Sequence, residues 1–74
     1  HTVLATASYN AGPTRTLQWL PPSTQEADIW IETIPYRETR EYVKNVLTFT
    51  GIYRQRLGYP PAFALLMKPI PNKA

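Results

Sequence analysis

The sequence contains no cysteine, and its one histidine is the first residue, His1. The absence of cysteine excludes disulfide bonds and thiolate metal sites, and a single histidine leaves no cluster to propose as a metal site. We therefore expect neither a metal nor a cofactor. Nucleophilic catalysis by a Cys–His or a Ser–His–Asp arrangement also lacks support, because its base would have to be the terminal histidine.

Long apolar runs and glycine are scarce as well. No apolar stretch approaches the roughly 20 residues that span a bilayer, so no transmembrane segment is predicted. With only three glycines there is no glycine-rich phosphate loop. The first ten residues show neither an initiator methionine nor a signal-peptide pattern. We interpret this start as that of a chain processed or cut from a longer one.

The length of 74 residues permits one small domain. A core of this size supplies only a few kcal/mol unless disulfides, a metal or a partner add to it. Since disulfides and metal sites are excluded, a self-sufficient enzyme is not expected. The hydrophobic content of 43% nevertheless separates the chain from disordered proteins.

The net charge of +3 suits contact with an anionic partner such as nucleic acid, a membrane surface or an acidic polymer. Lysine and arginine do not cluster on one predicted face, so we expect no nucleic-acid partner. A small basic helical nucleic-acid binder is therefore the remotest of the alternatives.

Glycine and proline divide the chain into helices, and no alternating stretch is long enough to build a sheet. We predict an all-α fold of about four helices, with one domain over 1–58 and a proline-rich tail over 59–74. Helices over 2–10 and 13–20 are separated by Gly12, which can adopt the left-handed conformation at a helix end. Pro13 suits the first position of the second helix.

The third predicted helix starts at a capping box formed by Ser23 and Glu26 and ends at Pro35. Its apolar stripe follows the helical period: Ala27, Trp30, Ile31 and Ile34. The fourth helix covers 38–57 and stops at Gly58. Both tryptophans, Trp19 and Trp30, are expected in the core.

Polar groups that could bind a ligand concentrate in two places. Tyr9 and Asn10 combine an aromatic ring with amide donors and acceptors, a pairing that suits sugar hydroxyls and N-acetyl groups. Glu38, Arg40 and Tyr42 open the long helix, where free N–H groups favour polar ligands. An Arg40–Glu38 network that pins the preceding corner is an equally good interpretation.

The carboxylates could in principle supply the acid and base of glycoside cleavage, which commonly uses two carboxyl groups. Structural roles suit three of them better. Glu26 is expected to cap a helix, Asp28 to interact with the helix dipole, and Glu41 to pair with Lys44.

Two blocks of sequence together resemble conserved blocks of the soluble lytic murein transglycosylases. The first resembles the family's third block and consists of Ala7-Ser8-Tyr9-Asn10-Ala11-Gly12-Pro13, then Arg15 and Trp19-Leu20. The second resembles its final block and covers 28–36 and 38–47. The match runs in order over 2–58. It departs from the family's usual residues at Thr14, Thr16 and Arg37.

This resemblance implies a lysozyme-like, mainly helical domain. Such a domain cleaves the β-1,4 bond between N-acetylmuramic acid and N-acetylglucosamine without water, leaving a 1,6-anhydro product. One glutamic acid acts first as general acid and then as base. The family's Glu-Ser block, which carries this residue, and its Gly-Leu-Met-Gln block are absent here. The resemblance therefore covers the C-terminal part of the catalytic domain, and the 74-residue chain is expected to be inactive.

The resemblance also implies roles for individual residues. Tyr9 and Asn10 would contact saccharide near the cleavage point, and Tyr42 would reach towards the missing glutamate. Glu38 and Arg40 would shape the groove wall. The implied partners are peptidoglycan glycan strands and the missing N-terminal part of the domain, in the bacterial periplasm or cell envelope. The alternative is a non-catalytic module that binds peptidoglycan.

Overall fold

The computed structural model describes residues 1–58, apart from the side chains of residues 52 and 53, and residues 67–73. In these ranges the chain forms four helices and no strand: α1 (Thr2–Ala11), α2 (Pro13–Gln18), α3 (Ala27–Thr33) and α4 (Arg37–Arg56). The all-α prediction is confirmed. Residues 59–66 and 74 of the predicted proline-rich tail lie outside the described residues. None of the described helices is both long and apolar enough to cross a bilayer.

The break between α1 and α2 occurs at Gly12, as predicted. Gly12 has φ 94° and ψ 149°, and its N–H donates to the Ser8 carbonyl at 2.8 Å. Pro13 then occupies the first turn of α2. The buried Thr16 hydroxyl donates back to the Gly12 carbonyl at 3.0 Å, so α2 is tied to the break that precedes it.

The predicted capping box is wrong. Helix α3 begins at Ala27, and its N-cap residue, Glu26, makes no capping hydrogen bond with its side chain. Gln25 is engaged elsewhere: its N–H donates to the Ile70 carbonyl at 3.0 Å, and the Ile70 N–H returns a bond of 2.7 Å. This antiparallel bridge lies between the two residues of the box, so the tight turn that would join Ser23 to Glu26 does not form.

The core lies between α1, α3 and the first half of α4, and the bridging segment closes it. Trp30 is fully buried, and its indole Nε1–H donates to the Trp19 carbonyl at 2.8 Å. Trp19 itself is half-buried at the edge of the core. The stripe predicted for the third helix is confirmed, since all its members are among the buried apolar residues Val3, Ala7, Ala27, Trp30, Ile31, Ile34, Val43 and Ile70.

Helix α4 is 20 residues long and begins one residue before the predicted start. Its first half contacts α1 and α3, and Val43 is fully buried there. Farther along, Phe49 and Leu57 are 77% and 55% exposed. The apolar face of α4 is therefore only half covered in the part of the chain that the structure describes. Lys44 pairs with Glu32 of α3 at 2.5 Å, so the predicted pairing with Glu41 is wrong.

Candidate functional site

The end of α1 meets the first turns of α4 at a pair of tyrosines. The rings of Tyr9 and Tyr42 stack with centroids 6.3 Å apart and planes inclined by 15°. Tyr9 is 85% exposed, whereas Tyr42 is half-buried. Tyr42 thus supports an aromatic ring that stands largely in solvent, and two of the residues predicted for the site are in contact.

Asn10 lies beside this pair and is held by a buried hydroxyl. The Thr39 Oγ1–H donates to Asn10 Oδ1 at 2.7 Å, and Thr39 is only 1% exposed. Because Oδ1 faces α4, the amide Nδ2 is left for other partners, and it makes no hydrogen bond within the described part of the chain. Thr39 was not predicted as a site residue. The signal that could have identified it is its position three residues before Tyr42, on the same side of the helix.

A third contact continues the same line. Tyr36 precedes Thr39 by three residues, and its hydroxyl accepts a hydrogen bond from Arg15 Nη1. The guanidinium carbon of Arg15 lies 4.9 Å from the centre of the Tyr36 ring. We call the three pairs the contact row: Tyr9–Tyr42, Asn10–Thr39 and Arg15–Tyr36. The row runs from the second turn of α4 back to the corner before this helix, and in that direction it presents aromatic, amide and cationic groups.

Arg40 belongs to the corner before α4 and not to the contact row. Its Nη1 donates to the Ile34 carbonyl at 2.9 Å, and its N–H donates to the Tyr36 carbonyl, also at 2.9 Å. Arg40 therefore holds the corner, but not through the expected network with Glu38. Its predicted partner, Glu38, is exposed and forms no ion pair within the described ranges, so that part of the prediction is wrong.

A cavity of about 390 Å³ opens beside the Arg15–Tyr36 end of the row. Trp19 connects the two, because it lines the cavity and its ring meets the Tyr36 ring edge-on at 5.2 Å and 69°. The other lining residues are Leu20, Pro21, Pro22, Gln25, Trp30, Thr33 and Pro35. No sequence pattern predicted this cavity, since its walls come from the segment after α2, from the second half of α3 and from Pro35 after it.

The side chains of the contact row are suited to binding a ligand. Among residues 1–58 and 67–73, no three histidine, cysteine or acidic residues are grouped so that they could hold a metal ion. Glu32 is engaged by Lys44, and Glu38 stands on the surface. An aromatic face beside a fixed amide and a guanidinium favours a ligand with flat apolar surfaces and many oxygen acceptors.

Known proteins resemble the chain over most of its length. A family model described as the soluble lytic transglycosylase helical domain matches residues 33–61. The soluble lytic murein transglycosylase of Salmonella typhimurium is 45% identical over 62 residues, and that of Escherichia coli K12 is 44% identical over 61. These alignments cover 81% and 80% of the chain. The chain spans only about a tenth of the length of these curated relatives.

A solved structure has the same local fold. An inactive glutamate-to-glutamine mutant of the lytic transglycosylase Slt from Pseudomonas aeruginosa superposes with a TM-score of 0.74 and is 53% identical. The match covers 81% of the chain and 10% of the Slt chain. All these similarities fall on one short segment of much longer proteins.

Proposed function

Because the chain belongs with the soluble lytic murein transglycosylases over the segment that they share, as its sequence blocks predicted, we propose that it is the glycan-binding segment of such an enzyme. In this role the contact row holds a peptidoglycan strand, and the catalytic glutamic acid comes from another part of a longer polypeptide. We assign the segment to the C-terminal part of the catalytic domain, as the resemblance of its sequence blocks implies.

One observation carries the proposal: the amide of Asn10 is fixed by buried Thr39, with its Nδ2 donors unused, directly beside the exposed ring of Tyr9. The apolar face of a sugar ring can lie on a tyrosine ring, and an amide N–H can donate to a hydroxyl or acetamido oxygen. A preorganised amide loses little freedom when a ligand binds, which favours affinity.

The chemistry proposed for the longer polypeptide is non-hydrolytic cleavage of the bond between N-acetylmuramic acid and N-acetylglucosamine. The glutamic acid donates a proton to the leaving glycosidic oxygen and then, as carboxylate, accepts the proton of the muramyl C6 hydroxyl. That hydroxyl oxygen bonds to C1, which gives the 1,6-anhydro product. Tyr42 is proposed to support the glutamate from the contact row, and Glu38 and Arg40 are proposed to shape the groove wall.

The second half of α4 is proposed to pack against the part of the polypeptide that brings the glutamate. Phe49 in this half and Leu57 just after the end of α4 are 77% and 55% exposed, and a patch of exposed apolar residues can mark an interaction surface. The proposed location is the bacterial periplasm or cell envelope, because murein lies outside the cytoplasm.

Activity on murein tests the catalytic part of this proposal. Purified sacculi are incubated either with the 74-residue chain or with a polypeptide extended upstream to include the Glu-Ser block. Mass spectrometry should detect anhydro-muropeptides only with the extended polypeptide. Release of such products by the 74-residue chain would contradict the proposal. Murein binding without cleavage by the extended polypeptide would instead favour the alternative, a non-catalytic binding module.

Binding of a neutral oligosaccharide tests the contact row itself. Isothermal calorimetry with the tetramer of N-acetylglucosamine should show binding to the chain, and Tyr9→Ala should weaken it by about five- to tenfold, the size of a lost aromatic contact. Phe49→Ala is the matched control, because Phe49 is a comparably exposed aromatic residue outside the row. Equal losses in both variants, or no binding by a chain with a dispersed amide NMR spectrum, would refute the assignment.

A further inference from the structure

Arg15, at one end of the contact row, is held in place although it is exposed. Its Nη1 donates to the Tyr36 hydroxyl, and its guanidinium lies over the Tyr36 ring, 4.9 Å from the ring centre. Tyr36 is in turn held by the edge-on contact with Trp19. A guanidinium that lies close to an aromatic ring and donates to its hydroxyl has a more defined orientation than an arginine extended into water.

The cation has no acidic partner in the part of the chain that the structure describes. The ion pair found there joins Glu32 to Lys44, whereas the hydrogen bond and the ring contact of the Arg15 side chain both go to Tyr36. Most N–H donors of the guanidinium therefore remain available. The planar arrangement of these donors matches the two oxygens of a carboxylate, which can accept a pair of parallel hydrogen bonds.

We propose that Arg15 binds a carboxylate carried by the bound glycan strand, with Tyr36 as the positioning residue. This inference rests on the proposed function, because it places the carboxylate on the ligand held by Tyr9 and Asn10.

In peptidoglycan, carboxylates of this kind have two sources: the lactyl group of a muramic acid without peptide, and the stem peptide. The cavity beside Trp19 gives the atoms attached to the carboxylate a place to lie, since it opens at the same end of the row. The shared chemistry is an anionic substituent that projects from a neutral sugar backbone.

NMR titration of the ¹⁵N-labelled 74-residue chain compares ligands with and without this charge. The neutral ligand is the tetramer of N-acetylglucosamine. The anionic ligands are a glucosaminyl-muramic acid disaccharide with a free lactyl carboxylate and the same disaccharide carrying a tetrapeptide. Arg15→Gln should weaken the anionic ligands by about tenfold, as expected for a charge-assisted hydrogen bond, and the neutral tetramer by less than about twofold. If Arg15→Gln lowers the affinity for only one of the two anionic ligands, that ligand identifies the source of the carboxylate.

Two further variants separate positioning from charge. Arg15→Lys keeps the charge but not the planar arrangement of N–H donors, and should recover only part of the affinity. Tyr36→Phe keeps the ring but removes the hydroxyl; it should broaden the Arg15 Nε–H signal and weaken the anionic ligands about threefold. Arg56→Gln is the matched control, because Arg56 is an exposed arginine at the end of α4. It should leave the affinity for all three ligands unchanged.

The outcomes distinguish this inference from the function on which it rests. Binding of the neutral tetramer with no selective effect of Arg15→Gln would overturn the inference and leave the proposed function intact. Arg15-dependent binding of anionic ligands without any binding of the tetramer would support the carboxylate site and contradict the sugar assignment. Binding of neither class would overturn both.

Discussion

The hydroxyl of Thr39 donates a 2.7 Å hydrogen bond to the side-chain oxygen of Asn10, and it does so from a position that is 1% exposed. This bond joins the first turn of α4 to the last turn of α1. It also decides which atoms of Asn10 face outward, because the oxygen is occupied and the amide nitrogen is not. The same hydrogen bond therefore joins α1 to α4 in the core and leaves the amide nitrogen of Asn10 available to a ligand.

Replacing Thr39 with valine tests this relationship. Thr39→Val keeps the shape of the side chain but removes the donor, so we expect the free energy of unfolding to fall by about 1 kcal/mol. Urea unfolding followed by tryptophan fluorescence measures the change. The control is Thr48→Val, at an exposed threonine whose hydroxyl bonds within α4, and we expect less than about 0.5 kcal/mol there.

The same variant should weaken binding of the N-acetylglucosamine tetramer, because Asn10 is then free to rotate. Thr39→Ser retains the hydroxyl and should restore the affinity. If Thr39→Val lowers stability but leaves the affinity unchanged, the orientation of Asn10 is not what the ligand requires.

Two glycines in different backbone conformations should respond to alanine with opposite signs. Gly12 has φ 94° and ψ 149°, a region essentially restricted to glycine, so Gly12→Ala should destabilise the chain by about 1–3 kcal/mol. Gly51 lies inside α4, and no described atom lies within 4 Å of the position its Cβ would take. Gly51→Ala should therefore stabilise the chain by about 0.5–1 kcal/mol.

Thermal unfolding monitored by circular dichroism measures both variants under identical conditions. A destabilising Gly51→Ala would show that other residues cover this position. A neutral Gly12→Ala would show that the break between α1 and α2 can relax into an ordinary conformation.

Ile70 should anchor the C-terminal segment to the helices. It is fully buried and pairs with Gln25, so Ile70→Val should lower the free energy of unfolding by about 1 kcal/mol and Ile70→Ala by about 2–5 kcal/mol. Ile29→Ala is the matched control, since Ile29 is 52% exposed, and it should have a much smaller effect. Denaturant unfolding measures all three variants, and limited proteolysis shows whether residues 67–73 are cleaved first. Equal effects of the two alanine variants would contradict an anchoring role.

Helix positions were largely predictable because their signals are local. Gly12 and Pro35 end helices through their own backbone restrictions, and the stripe around Trp30 follows the helical period. The capping box failed because Gln25 pairs with Ile70, which is 45 positions away in sequence. The pairing of Lys44 failed for the same kind of reason: Glu32 on α3 lies within reach, and a pattern read along α4 alone does not include it.

The candidate site likewise combines residues that the sequence predicted with residues that only the structure identified. Tyr9, Asn10 and Tyr42 were predicted from residue chemistry and from the resemblance, and the structure brings them together. Thr39, the Arg15–Tyr36 pair and the cavity beside Trp19 emerged only from the structure, because each joins elements that are far apart in sequence. The partner of the Arg40 side chain also emerged only from the structure, since its guanidinium donates to the Ile34 carbonyl.

The sequence by itself determined an all-helical chain without disulfides, its helix breaks and its resemblance to a segment of the soluble lytic murein transglycosylases, because these depend on residue types and short spacings. Only the tertiary structure decided how the side chains are used. Packing α1 against α4 placed a buried hydroxyl behind Asn10, and the corner before α4 brought the Tyr36 ring next to Arg15 on α2. Hydrogen-bond partners across helices are set by three-dimensional proximity, which no local pattern encodes.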